Sequence, residues 1–241
     1  MPHFSLELWF MQWLGALAGA SELLDGVIHL LLNNDLLKGV PFATALFLLW
    51  AAPRAQHGAE ERESMLCIVL ATALSLVIGR AIQNRFVSPR PLMVPEIAAL
   101  YPPVFHDYRL DWNAFPSDHM ALYFTLALGV YLLRRPLGIA LIAWSLGGVG
   151  FPRVYAGYHY PLDILGGMAI GAMSLAIVWH ARAWLHPLLG KGVRLASRYP
   201  AAATAAVFVL VFQIASVFNT VREIGEFGRV GMRLVLTALL Q

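Results

Sequence analysis

Long apolar stretches, repeated along the whole chain, restrict this sequence more than any other feature. A helix needs roughly 17–25 apolar residues to cross a bilayer core that is about 30 Å thick. Stretches that approach or reach this length are Leu36–Ala52, Ser64–Ile82, His119–Leu133, Leu137–Phe151, Pro161–Trp184 and Ala201–Asn219. Only 13% of the 241 residues are charged, whereas an average soluble domain has roughly 25%. The sequence therefore predicts an all-α fold, a polytopic membrane helix bundle with about six transmembrane helices.

The two ends of the chain mix apolar residues with titratable ones. Within residues 1–35 the titratable side chains include Glu7, Glu22, Asp25 and His29. Burying such groups in lipid is costly, so we expect N-terminal helices that lie in the membrane interface; a seventh span is the alternative. The last segment alternates charged and apolar residues at helical spacing. The expected organisation is interfacial helices at 1–35, a membrane-integral domain at 36–219 and an amphipathic tail at 220–241.

Basic residues predict how the bundle is oriented. Eight arginines and lysines fall in three connecting segments, Pro53–Glu63, Arg134–Pro136 and Arg182–Tyr199. Basic residues of membrane proteins concentrate in cytoplasmic loops, so these segments are predicted to be cytoplasmic. The same rule explains the net charge of +3 without a nucleic-acid partner. The loop Gln83–Asp118 and the junction Pro152–Tyr160 then face the opposite side.

Three polar clusters lie on that opposite side, each at the end of an apolar stretch. They read "QNRFVSPRP" (Gln83–Pro91), "FPSDH" (Phe115–His119) and "PRVYAGYHYPLD" (Pro152–Asp163). In the third cluster His159 and Asp163 are four residues apart, so a helical backbone places both side chains on one face. A carboxylate that binds one imidazole nitrogen selects the tautomer and leaves the other nitrogen as a nucleophile or base.

The remaining polar residues of these clusters suit a phosphate group. Arg90 and Arg153 carry planar guanidinium groups that match phosphate oxygens. Ser117 and the backbone N–H groups that follow it could bind an anion at a helix N-terminus, and His119 could act as a general acid. Such a set suits phosphoryl transfer, in which most of the catalysis is positioning and charge stabilisation.

The clusters resemble the signature of the type 2 phosphatidic acid phosphatase superfamily. Its three motifs read Lys-x6-Arg-Pro, Pro-Ser-Gly-His and Ser-Arg-x5-His-x3-Asp, and they occur in the same order here. The signature and its flanking spans cover roughly Leu36–Trp184. Three positions depart from the motifs: Gln83 replaces lysine, Asp118 replaces glycine, and Pro152 replaces serine.

The resemblance implies a role for each matching residue. His159 would attack the phosphorus and form a phosphohistidine, and Asp163 would orient His159. His119 would protonate the leaving oxygen and then activate a water molecule. The groups that would hold the phosphoryl oxygens are Arg90, Arg153, Ser117, the backbone N–H of Asp118, and Gln83. Members of the family need no metal, and we expect no metal and no cofactor here.

The function that the resemblance implies is metal-independent hydrolysis of a phosphomonoester or diphosphate lipid head group. We expect it at the extracytoplasmic face of a bacterial inner membrane, with the bilayer and a membrane lipid phosphate as the partners. Undecaprenyl diphosphate is the favoured substrate, because members with Pro-Ser-Asp-His resemble enzymes that recycle this lipid. The alternatives are a phosphatidylglycerophosphate, phosphatidic acid or lipid A phosphatase, a lipid phosphotransferase with the same intermediate, and an inactive lipid-binding scaffold. The oligomeric state stays open.

Overall fold

The computed structural model describes residues 5–52, 57–106 and 113–216, and these residues fold into helices joined by loops. The α-helices are α1 (Ser5–Leu17), α2 (Glu22–Asn33), α3 (Asp35–Ala51), α4 (Gly58–Gln83), α5 (Pro95–Ala98), α6 (Asp118–Leu133), α7 (Arg135–Trp144), α8 (Phe151–Tyr155), α9 (Pro161–His180), α10 (Arg182–Arg198) and α11 (Pro200–Ala215). A π-helical segment, Ser145–Gly150, joins α7 to α8. The described residues thus confirm the all-α prediction.

Residues that favour helix starts mark several of these boundaries. Asn34 Oδ1 accepts a hydrogen bond from the Leu37 N–H at 3.0 Å and caps α3. Ser117 Oγ accepts one from the Met120 N–H at 3.4 Å and caps α6. Such caps satisfy N–H groups that have no partner within the helix. Helix α9 begins with Pro161, where the missing N–H breaks no intrahelical bond.

Helices α4, α6 and α9 contact one another and form the centre of the bundle. Helix α3 packs between α4 and α11, and α7 returns along α6. The contact between α6 and α9 is close at Gly167, because a Cβ atom there would collide with the carbonyl oxygen of Ser117 and lie 2.9 Å from the Met120 Cβ. Glycine at this position brings the beginnings of α6 and α9 together.

Each of the six predicted spans overlaps helices, with shifted boundaries, and the last three residues of Ala201–Asn219 lie outside the described residues. Helix α4 begins six residues before the predicted Ser64. The span predicted to end at Trp184 ends at His180, because the chain starts a new helix, α10, at Arg182. Length and apolarity identify three helical stretches that could cross a membrane alone, or up to five if each bent helix pair is one span; the three are Gly58–Gln83, Arg135–Tyr155 and Pro161–His180. The predicted count of six stays a prediction.

The N-terminal helices bend by 119° between α1 and α2 and cover one end of the bundle. Two of their acidic residues, Glu7 and Asp25, are buried there. Glu7 Oε1 accepts a hydrogen bond from the Leu162 N–H at 3.1 Å, and Asp25 Oδ1 accepts one from the Tyr155 hydroxyl at 2.8 Å. The interfacial location of residues 1–35 stays a prediction, and the predicted tail at 220–241 lies outside the described residues.

Candidate active site

The three polar clusters meet at one end of the bundle, beside α1 and α2. Helices α4 and α8 end there, while α6 and α9 begin there. The long helices alternate in direction along the chain. Each pair of them therefore returns the chain to this end of the bundle. The arginine between α6 and α7, Arg134, lies at the opposite end.

A tight turn connects Arg153 to His159. The Arg153 carbonyl oxygen accepts hydrogen bonds from the N–H groups of Tyr158, at 2.8 Å, and His159, at 3.1 Å. The chain can turn this sharply because Gly157 adopts a φ of +73°, which side chains disfavour. The Gly157 carbonyl oxygen also accepts a hydrogen bond from the Leu92 N–H at 3.2 Å, which joins the first cluster to the third. The spacing of five residues between Arg153 and His159 therefore has a structural cause.

The π-helical segment precedes Arg153 directly. Phe151 donates its N–H to Leu146, five residues back, and the next residue, Pro152, has no N–H to donate. Arg153 is only 6% exposed. Within the described part of the chain, its Nε has no hydrogen-bond partner. A buried guanidinium with an unsatisfied N–H is costly unless an anion binds it, so this position suits a phosphate oxygen.

His159 is held between a cation and a carboxylate. Its Nε2 lies 3.1 Å from Arg90 Nη1, and its Nδ1 lies 3.4 Å from Asp163 Oδ2. Burial lowers the pKa of His159 well below its usual range, and the charges of Arg90 and Arg153 lower that pKa further. From the two contacts we assign the proton to Nδ1, which leaves the lone pair of Nε2 directed at Arg90.

Hydrogen bonds to the backbone hold the groups beside His159. The Tyr160 N–H donates to Asp163 Oδ2 at 2.8 Å and keeps the carboxylate next to the imidazole. Arg90 Nη1 donates to the Tyr158 carbonyl oxygen at 2.8 Å. The Asp163 carbonyl oxygen in turn accepts from the Ser117 N–H at 3.0 Å, so the second cluster is fastened to the third.

The second cluster places a histidine and an aspartate in contact. His119 Nδ1 lies 2.9 Å from Asp118 Oδ1. The Asp118 carboxylate is also near enough to Arg153 and His159 to interact with them electrostatically. Their roles in catalysis and phosphate binding are predictions from the sequence; the structure brings the groups together.

Gln83 contacts backbone in the structure. Its side-chain Nε2 donates to the Pro116 carbonyl oxygen at 2.9 Å, directly before Ser117. Asn113 completes this link: its Nδ2 donates to the Gln83 carbonyl oxygen at 2.6 Å, and its Oδ1 accepts from the Ser88 N–H at 3.1 Å. Sequence reasoning missed Asn113, which holds the first and second clusters together. The role of Gln83 as a phosphate ligand stays a prediction.

Lys38 is a second residue that sequence reasoning missed. It lies in α3 and is 3% exposed. Its Nζ lies 2.7 Å from Asp35 Oδ1 and donates to the Leu32 carbonyl oxygen at 2.7 Å. Its charge interacts with Arg153 and Asp118. A lysine inside a predicted span is itself a signal of function, and this one adds positive charge near a site whose first motif lacks its lysine.

Comparisons with known proteins agree with this arrangement. The model of the PAP2 superfamily matches residues 64–187. The Escherichia coli protein named "Putative undecaprenyl-diphosphatase YbjG" is 30% identical over 157 residues, which are 64% of this chain and 73% of that protein. The lipid A 4'-phosphatase of Bacteroides thetaiotaomicron is 32% identical over 116 residues, which are 45% of this chain and 51% of the relative.

A solved structure has the same fold. The crystal structure of Aquifex aeolicus LpxE matches with a TM-score of 0.57 and 24% sequence identity. The match covers 75% of this chain and 98% of the other. At this identity the likeness concerns the fold, and it extends over nearly the whole of the solved chain.

Proposed function

Because the chain belongs to the PAP2 superfamily, we propose that it is a membrane lipid phosphatase that works through a phosphohistidine. One observation carries the proposal: the buried imidazole of His159 has Nε2 at 3.1 Å from Arg90 Nη1 and Nδ1 at 3.4 Å from Asp163 Oδ2. A nucleophile, the cation that attracts its substrate and the group that orients it are thereby in direct contact.

In the first half of the reaction the phosphoryl group enters between Arg90 and Arg153. The lone pair of His159 Nε2 attacks phosphorus, and the bond from phosphorus to the leaving oxygen breaks. His119 gives its proton to that oxygen. The imidazole of His159 gains positive charge as the P–N bond forms, and the Asp163 carboxylate stabilises that charge.

The second half returns the enzyme to its starting state. His119 takes a proton from a water molecule, the water oxygen attacks phosphorus, and the P–N bond breaks. Inorganic phosphate leaves and His159 is neutral again. Because Arg90 and Arg153 supply the positive charge that phosphoryl transfer needs, the proposal includes no metal and no cofactor. Activity that persists in excess EDTA is the expected result.

We propose undecaprenyl diphosphate as the substrate, with lipid A as the second candidate. The name of the Escherichia coli relative supports the first, and the name of the Bacteroides relative supports the second. Orientation enters the same proposal: the clusters lie at the end of the bundle opposite Arg134, so the positive-inside rule directs them to the exterior of an inner membrane. Phosphate release by intact spheroplasts from added lipid tests this orientation.

The decisive experiment measures phosphate release by the purified protein in detergent. The substrates are undecaprenyl diphosphate, lipid A, phosphatidic acid and phosphatidylglycerophosphate, and the control is His159→Ala. Free phosphate without a phosphorylated acceptor lipid supports hydrolysis, whereas a phosphorylated acceptor identifies a phosphotransferase. Equal phosphate release by His159→Ala and the wild type would refute the mechanism, and no release from any lipid would favour a scaffold.

A further inference from the structure

We infer that the Asp118 side chain positions His119, so that the site contains a second His–Asp pair dedicated to proton transfer. This inference rests on the proposed function. The family motif has glycine at this position, so the motif assigns it no side-chain role. Here the carboxylate lies in the site and contacts the histidine that would move the proton.

Two contacts of one oxygen carry the inference. Asp118 Oδ1 lies 2.9 Å from His119 Nδ1 and accepts the His119 backbone N–H at 2.9 Å. The backbone contact anchors the carboxylate, and the side-chain contact keeps a proton on Nδ1. In the imidazolium form of His119, Nε2 carries the second proton, which is the one that His119 transfers. Nε2 of His119 is left for the substrate. In both pairs the carboxylate faces Nδ1 and leaves Nε2 for the substrate.

The charge of Asp118 would otherwise oppose the reaction. A carboxylate near a phosphate site repels the phosphoryl oxygens, and that repulsion weakens substrate binding. Arg153 attracts the Asp118 carboxylate and offsets part of this cost. An acidic residue in the first turn of α6 also stabilises the helix, which is the structural explanation that an experiment must separate from a role in proton transfer.

The two explanations differ in how they depend on the leaving group. While His159 Nε2 forms its bond to phosphorus, the leaving oxygen takes the electron pair of the breaking P–O bond and the proton from His119 Nε2. An alkoxide needs that proton, whereas nitrophenolate leaves readily without it. If Asp118 acts through His119, replacing Asp118 impairs the cleavage of alkyl phosphates far more than the cleavage of nitrophenyl phosphate.

The test compares kcat/KM for octyl phosphate and 4-nitrophenyl phosphate in the full-length protein in detergent. This parameter reports the steps up to departure of the leaving group. For Asp118→Asn and Asp118→Gly we expect a loss of about 10–100-fold on octyl phosphate. On nitrophenyl phosphate we expect a loss of no more than about 3-fold. His119→Ala should show the same preference, and Asp118→Asn should add almost no further loss in the His119→Ala background.

Several outcomes would overturn the inference. The first is an equal loss of kcat/KM on the two substrates in the Asp118 variants. The second is a loss that multiplies with that of His119→Ala in the double variant. The third is a lowered unfolding temperature with unchanged kcat/KM. The Asp118→Gly variant keeps the test valid if Asp118→Asn does not fold. Failure of the proposed function is a separate result, because it would appear as retained activity in His159→Ala or as a wild-type protein that cleaves neither substrate.

Discussion

The two ends of the bundle use arginine in opposite ways. At the end that lacks the clusters, Arg134 Nε and Nη2 bind the two carboxylate oxygens of Glu61 at 2.7 and 2.9 Å, and Arg62 lies over the Trp50 ring at 5.1 Å. At the candidate site Arg90 contacts the imidazole of His159. Arg153 is buried there with an Nε that no described group accepts. The first pair of arginines joins helices, whereas the second pair is the one that we propose binds the phosphoryl group.

The largest loss of activity is expected when the proposed nucleophile is removed. His159→Ala should lower phosphate release by at least about 10³-fold, because the proposed mechanism forms its P–N bond at His159. Acid quenching of a reaction with radiolabelled substrate should trap phosphohistidine in the wild type and none in the variant. A phosphoenzyme in His159→Ala would place the nucleophile elsewhere.

Matched lysine substitutions test the contrast between the arginines directly. Arg153→Lys should lower kcat/KM by about 10²-fold, because lysine cannot reproduce the planar fork that phosphate oxygens bind. Arg134→Lys should leave kcat/KM within about 2-fold and lower stability by ~0.5–1 kcal/mol. Phosphate release and thermal unfolding of both variants check the prediction, and similar activity losses in the two variants would contradict the contrast.

A smaller effect is expected from the turn that places His159. Gly157→Ala should destabilise the protein by about 1–3 kcal/mol, because alanine disfavours a φ of +73° and its Cβ would lie 3.0 Å from Leu92 Cγ. Gly192→Ala is the control, since a Cβ atom in that part of α10 would meet no atom within 4 Å. Thermal unfolding in detergent should show a lower midpoint for Gly157→Ala alone.

The smallest expected effect concerns pH. The folded pKa of His159 is lowered, so the unfolded chain takes up a proton near pH 6.5 while the folded protein does not (an ordinary histidine pKa is about 6.5). Stability should fall as pH drops below about 6.5, and His159 should stay nucleophilic below that pH.

The acid limb of kcat/KM, which the pKa of His159 sets, should therefore lie below the ordinary histidine pKa of about 6.5. The charged groups that act on His159 are Arg90, Arg153, Asp118 and Asp163. Arg90→Gln removes a cation and should move the acid limb to higher pH. A wild-type limb at the ordinary histidine value, or an Arg90→Gln limb at lower pH, would contradict the geometry of the site.

Much of the fold was predictable because hydropathy is a local property. Each predicted span overlaps a helix, but the spacing of His159 and Asp163 predicted one helical face and only Asp163 lies in α9, which begins at Pro161. His159 precedes the helix, and its Nδ1 still lies 3.4 Å from Asp163 Oδ2. The end of α9 was wrong by four residues, because apolar side chains continue through Trp184 although the helix stops at His180. The π-helical segment Ser145–Gly150, just before α8, also escaped prediction.

By itself, the sequence determined an apolar helical protein and the three clusters that its family shares. Only the tertiary structure decided which distant groups touch. Arg90 meets His159 across 69 residues, and Glu7 meets the backbone of Leu162 across 155. Burial propensity is set residue by residue along a helix, but contacts between clusters depend on helix directions, close approach at glycine and the bends of connecting loops. Those packing choices turn scattered arginines and histidines into one site.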